Sequence, residues 1–267
     1  MKRKKRIGTA AKAVGCAVLL MISLFPIYWL LAMAIRPTDE MRGHIALIPQ
    51  SLTGMHFAQL FTSENFGQAI MNSLQTTFGS LIISLLAGIC AAYVIARRRF
   101  RFGLKKPMTY WVLLVRVLPP VAFTIPLYIM FNRLGVLNTK LPVMLACVLI
   151  NVPLIIWFLI SFFQDLPEEI EESAKVDGAT EWQLFCKIVL PLVAPGIAAV
   201  SMLSFMYAWN EYTYTVIFTR IPANNTVPLA LALLNTEDNL TNFGLVAAGG
   251  VISVIPITLF VIFAQNY

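Results

Sequence analysis

The sequence predicts an all-α membrane protein with six transmembrane helices, and three observations lead there. Of the 267 residues, 58% are hydrophobic and only 12% charged, against roughly 25% charged in a soluble domain. Mean hydropathy is +0.76, too apolar for a chain of this length to wrap its core in its own polar surface. Lipid must therefore be part of its solvent. Six apolar runs, near 12–35, 68–96, 107–131, 141–163, 193–218 and 242–264, are each long enough for a hydrocarbon core that takes about 20 helical residues to cross. Backbone polar groups in lipid have to be satisfied within their own segment, which makes these runs helices.

Residues 1–11 form a basic N-terminus and 12–267 the membrane domain. The first run is too long for a signal peptide, no small-residue cleavage site follows it, and Arg36-Pro37 ends it; it reads as a retained span. The third run is interrupted by Pro119, Pro120 and Pro126. Orientation follows from Lys and Arg. Six positive charges lie in MKRKKR plus Lys12, and six more (Arg97, Arg98, Arg99, Arg101, Lys105, Lys106) separate runs two and three. The three opposite loops carry five in all: Arg36, Arg42, Arg133, Lys140 and Arg220. Both termini are therefore expected in the cytoplasm, with 36–67 and 219–241 outside.

The chemistry this sequence lacks narrows its function. There is no nucleotide-binding Gly-rich motif, no HExxH and no nucleophile elbow. Cys16, Cys90, Cys147 and Cys186 have no metal-like spacing and read as small hydrophobes. His44 and His56 share one polar loop and suit a structural or solvated role. The net charge of +7 is topological in placement and calls for no nucleic acid. A secondary transporter would need discontinuous helices and midplane ion ligands, and an intramembrane enzyme a catalytic set within the runs.

The segment 165–191 stands apart. It holds seven acids (Asp165, Glu168, Glu169, Glu171, Glu172, Asp177, Glu181) against two bases, Lys175 and Lys187, on the side where basic loops are the rule. Asp165 with Glu168, and Thr180 with Gln183, have capping-box spacing. They predict short helices over 166–176 and 181–190, hinged at Gly178, which tolerates a left-handed backbone. Trp182, Phe185 and Val189 recur at helical spacing as an apolar stripe that can pack on the membrane helices.

Within it, Glu172-Ser173-Ala174, then Gly178 after three intervening residues, then Ile188-Val189-Leu190-Pro191 after nine more, resembles the E-A-A-x3-G-x9-I-x-L-P loop of ABC importer membrane subunits. One position departs, Ser173 for Ala. Asn72-Ser73-Leu74, Ala91-Ala92-Tyr93, Ala96-Arg97, Arg116-Val117-Leu118-Pro119-Pro120 and Trp209-Asn210-Glu211 look like carbohydrate permeases of the maltose-permease type. The resemblance implies a type I importer subunit of the bacterial inner membrane, with a sugar or oligosaccharide as cargo. Permeases for polyamines or phosphate share the loop, so a non-sugar cargo stays open. It further implies that 165–191 is a coupling loop docking on a cytoplasmic ATPase. Glu172, Ser173, Ala174, Asp177, Gly178 and Ala179 would match the docking element, and Ile188, Leu190 and Pro191 the return to the membrane. No cofactor is expected on this chain; ATP and Mg would sit on the ATPase. The partners implied are a second, homologous permease, two ATPase subunits, an extracytoplasmic solute-binding protein and lipid.

Two places in the runs carry unusual polarity. Arg116 lies nine residues past Pro107, about 13 Å along a helix at 1.5 Å per residue. A charge at that depth is costly and faces protein or water. It suits either the carbonyls left without donors by Pro119 and Pro120 or a translocation path. On a continuous fifth helix, Asn210 and Glu211 fall nearer the outer surface, as an outer gate or as packing contacts between helices.

Overall fold

The structure, a computed structural model, describes the backbone of residues 2–41, 46–97, 105–234 and 243–265, and side chains from Lys12 onward except Lys105. The basic side chains before Lys12, with Arg42, His44, Arg98, Arg99 and Arg101, lie outside the described residues. Among the described residues every regular element is helical. Four helices are long and apolar enough to cross a membrane, covering Lys12–Ala34, Phe66–Arg97, Leu141–Asp165 and Phe243–Ala264; two bent pairs bring the number to as many as six. The chain divides into two units, residues 1–67 with 231–254, and residues 68–230 with 255–267.

In the first unit, α1 (Lys2–Ala34) leads into a segment tied back on itself, followed by α2 (Met55–Thr62). Arg36 is 1% exposed. Its Nη2 donates to the carbonyl of Ala46 at 2.6 Å, and its guanidinium lies 5.8 Å from the centre of the Trp29 ring, within cation–π range. His56 is fully buried, with Nε2 2.9 Å from the Arg36 carbonyl, so the structural reading of this histidine holds.

Glu40 closes the same segment by accepting from the amides of Gln50 and Ser51 at 3.1 and 2.8 Å and from the Ser51 hydroxyl. The Ser51 hydroxyl, more than any other contact, holds the Glu40 carboxyl below its ordinary value. A carboxylate lowered in the folded state stabilises above its unfolded pKa of about 4.3 and loses that contribution as pH falls through the lower, folded value. Glu40→Gln is therefore expected to speed amide exchange at Gln50 and Ser51 at neutral pH, where the wild-type carboxylate is ionised and accepts from both amides.

The second unit is organised on α6 (Leu141–Asp165), against which pack α4 (Lys105–Val117) and α9 (Ala194–Trp209). Ile155, Leu159 and Phe163 on one face of α6 are wholly buried, together with Ala92 of α3 (Phe66–Arg97), Leu184 and Val200. The α3–α6 contact is close at Gly88, where a Cβ would stand 2.6 Å from Cγ2 and 2.9 Å from Cβ of Ile155.

Two expected spans are not single helices. α4 and the stretch Pro120–Arg133 meet at 96°. Pro119 takes an extended backbone, ψ 138°, before a 3-10 turn over Pro120–Phe123, since neither proline can donate to the helix behind it. Pro126 is no interruption: it lies in the first turn of α5 (Thr124–Arg133), where a missing N–H costs nothing. The run 193–218 breaks as well. α9 ends at Trp209, Asn210–Tyr212 leave the helix, and α10 covers Thr213–Phe218, so a depth for Glu211 reckoned along one helix does not apply. Of the segments expected as loops, 36–67 contains α2, and 219–241 contains a turn at Pro222–Asn224 and α11 (Val227–Leu233). The sixth run becomes α12 (Phe243–Ala264).

Candidate functional site

The segment 165–191 forms a helical hairpin. α7 runs Glu168–Val176 and Gly178 turns the chain at φ +84°, where a Cβ is strained. α8, Glu181–Leu192, returns toward α9. The Thr180–Gln183 capping box forms in full: the Gln183 amide donates to Thr180 Oγ1 at 3.2 Å and the Thr180 amide to Gln183 Oε1 at 3.0 Å. The Asp165–Glu168 box does not form, because Asp165 is the last residue of α6 and Pro167 sits at the start of α7.

α8 begins as α-helix but widens into a π-helical stretch over Leu184–Val189. Pro191 supplies a reason, since it cannot donate to Lys187; the Leu190 amide reaches back to the Phe185 carbonyl instead. A bend of 73° separates α8 from α9. Such local π geometry recurs at functional sites in helices.

The hairpin has two unlike faces. Inward, Ala174 is 7% exposed and packs with Leu184, Phe163 and Val189, with Ala179 and Ile188 beside them. Outward lie Glu172, Ser173, Asp177 and Gly178, all exposed, with Val176 and Trp182 exposed at 87% and 71%. The expected stripe of three is thus two buried residues, Phe185 and Val189, and one outward aromatic, Trp182. Leu190 is half-buried and Pro191 exposed.

Contacts absent from the sequence reading fix the hairpin. Glu171 Oε1 lies 2.8 Å from Arg97 Nε, and Tyr93 donates its hydroxyl to Glu171 Oε2 at 3.1 Å. Arg97 Nη2 donates to the carbonyl of Leu166 at 2.7 Å. Lys175 and Glu181 add an exposed pair across the turn at 3.0 Å.

The polar residues of the spans fall at the two breaks. Arg116 is exposed at the end of α4 and lines a cavity of 180 Å³ with Leu118, Pro120, Ile150 and Tyr207. Glu211 is buried and caps α10: its oxygens accept from the amides of Tyr214 and Thr215 at 2.7 and 3.1 Å and from Thr215 Oγ1 at 3.2 Å. Asn210 returns its Nδ2 to the Met206 carbonyl at 2.8 Å. Both border a cleft of 460 Å³ that shares Pro120 and Tyr207 with the first. Arg116 and Glu211 do not form an ion pair.

Residues 84–267 match the family described as "Binding-protein-dependent transport system inner membrane component". The chain is 30% identical to "Trehalose transport system permease protein SugB" of Mycobacterium tuberculosis, over 91% of this chain and 88% of that protein. It is 31% identical to "Arabinooligosaccharides transport system permease protein AraQ" of Halalkalibacterium halodurans, over 100% and 96%. Among solved structures, a chain of a bacterial ABC transporter "involved in the import of the acidic polysaccharide alginate" superposes with a TM-score of 0.82 at 20% identity, over 99% of this chain and 98% of that one.

Proposed function

Since the chain belongs to the family of binding-protein-dependent transport system inner membrane components, we propose that it is the translocating permease subunit of an ATP-driven importer of sugars or oligosaccharides. It carries out no covalent chemistry and binds no cofactor; ATP and Mg act on separate ATPase subunits. A second, homologous permease and an extracytoplasmic solute-binding protein complete the assembly.

The observation that carries this reading is the hairpin of 165–191. It keeps the spacing of an ATPase-docking loop, turns at a glycine with φ +84°, and presents an acidic face interrupted by Val176 and Trp182. An exposed aromatic among acids suits a cleft with basic walls, where the charges set register and the ring supplies contact area. Glu172 is the charge offered and Gly178 the turn that aims it, while Ala174 holds α7 against the spans from within. The bent pairs serve as spans three and five, which gives six crossings with both termini inside. Arg116, Asn210 and Glu211 lie at their elbows, on the path or its gate. The cargo follows the relatives, whose names specify trehalose and arabinooligosaccharides.

Two measurements test this. The purified chain is expected to hydrolyse no ATP, with sugar uptake appearing only on co-expression with the second permease, an ATPase subunit and a binding protein; turnover by the isolated chain would sink the assignment. Uptake of a polyamine or phosphate and of no sugar would keep the importer and change the cargo. For orientation, Ile48→Cys should react with a membrane-impermeant thiol reagent on intact cells and Glu169→Cys should not. The reverse pattern would invert the topology.

A further inference from the structure

We propose that Tyr93, Glu171 and Arg97 form a latch that binds the docking hairpin to the cytoplasmic end of α3, so that the two move as one body. The proposal rests on the coupling role given to the hairpin above and names the residues through which its motion enters the spans.

Tyr93 and Arg97 are four residues apart, on one face of the last turns of α3. Arg97 is 9% exposed and Glu171 14%, so the pair is largely withdrawn from water. Breaking a withdrawn pair leaves its partner charge uncompensated. Arg97 holds both sides of the α6–α7 connection at once, Glu171 through Nε and the Leu166 carbonyl through Nη2. The Tyr93 hydroxyl bonds to Glu171 on α7, while its ring lies 4.9 Å from the Phe185 ring on α8 and 5.5 Å from the Phe163 ring on α6. One turn of α3 therefore grips the end of α6 and both arms of the hairpin.

On α7, Glu171 and Ala174 are three residues apart and share the inward face. Glu172 and Val176, four apart, share the outward one. α7 thus separates its tasks. One face meets an external partner, and the other is locked to α3 by an ion pair, a hydrogen bond and an apolar contact. A push on the outward face has no slack to take up before it reaches α3.

The test uses the full chain in nanodiscs, its four native cysteines replaced by alanine, with spin labels at Glu169→Cys on α7 and Leu86→Cys on the outer surface of α3. Distances are read without nucleotide, and again with ATPase subunits trapped by MgATP and vanadate. The wild type should give one narrow distance, the same in both states. Tyr93→Phe, which removes only the hydroxyl bond, should broaden it on trapping. Glu171→Gln, which removes the charge, should broaden it even without nucleotide, and Arg97→Gln added to Glu171→Gln should broaden it further only by what the lost Leu166 bond contributes, less than Arg97→Gln adds to the wild type, as expected of a coupled pair. ATPase retention should stay normal in all variants. The latch is overturned if the variants keep the wild-type distance in both states, if the wild-type distance itself shifts on trapping, or if the variants lose the ATPase. The nucleotide-free comparison needs no ATPase, so a wild type that binds none refutes the coupling reading while the latch is still decided.

Discussion

Replacing Gly178 with valine is expected to abolish transport while the protein reaches the membrane in normal amount. At φ +84° a valine is strained, yet a Cβ there would meet nothing within 4 Å. The cost is therefore conformational rather than steric against neighbours. Left-handed backbone costs an L-residue about 1–2 kcal/mol, or about a 5- to 30-fold loss in the population of the native turn, and more for a β-branched side chain. The spans are secured by lipid burial and have no stake in that turn. Gly178→Asn, which tolerates the left-handed region, should retain most of the activity. Glu172→Lys should fail by another route: the hairpin keeps its shape, but the charge on its outward face is reversed and the ATPase is lost from the purified complex. Uptake assays beside ATPase co-purification separate the two. Wild-type transport by both Gly178→Val and Glu172→Lys would reduce the hairpin to a connector.

The second large effect is expected at Gly88. A Cβ there would come within 2.6–2.9 Å of Ile155 Cγ2 and Cβ and 3.6 Å of the Val152 carbonyl. Ile155 Cβ is rooted in the α6 backbone, so the helices themselves must part. Overpacking of this kind costs about 1–3 kcal/mol for small additions, and Gly88→Val should leave little folded protein, measured as the fraction surviving detergent extraction and heating. Gly79 provides the contrast. Its added Cβ would meet Cε and Sδ of Met144, the far end of a flexible side chain that can swing aside. Gly79→Ala is expected to be near neutral, and equal loss at Gly79→Ala and Gly88→Ala would refute this account of the α3–α6 contact.

What the sequence revealed and what it hid have different physical origins. The Thr180–Gln183 box and the turn at Gly178 are local, decided within about one helical turn, and both appear as expected; of the six apolar runs, four appear as long helices and two as bent pairs. The elbow at Pro119-Pro120 was legible because two missing donors in succession leave a helix nothing to propagate with. The break at Asn210–Tyr212 was not, since no proline or glycine marks it; it exists because Glu211 spends both oxygens on starting α10. Asp165–Glu168 has capping spacing, but α6 continues through Asp165 and Pro167 takes the place of the cap. The latch was hidden for a third reason. Glu171 and Arg97 are 74 residues apart, and in the sequence Glu171 is one acid among seven, with nothing to single it out from Glu172 beside it.

Arg116 bears on how the cell keeps count of this subunit. It is exposed at the elbow between α4 and α5, and among the described residues no carboxylate stands within ion-pair distance. It lines the cavity at the last turn of α4, and a guanidinium within a bilayer that is left without water or a protein partner costs up to about 2.5–3.5 kcal/mol on insertion scales. A copy without its neighbours carries that penalty continuously, whereas an assembled copy can set the charge against protein or a wet path. Assembly would then contribute directly to the subunit's own stability, and an unmatched copy would be the one more open to proteolysis at α4. The residue would act as a stoichiometry check: made alone, the chain should turn over faster than when made with its partners, and Arg116→Leu should erase most of that difference in half-life.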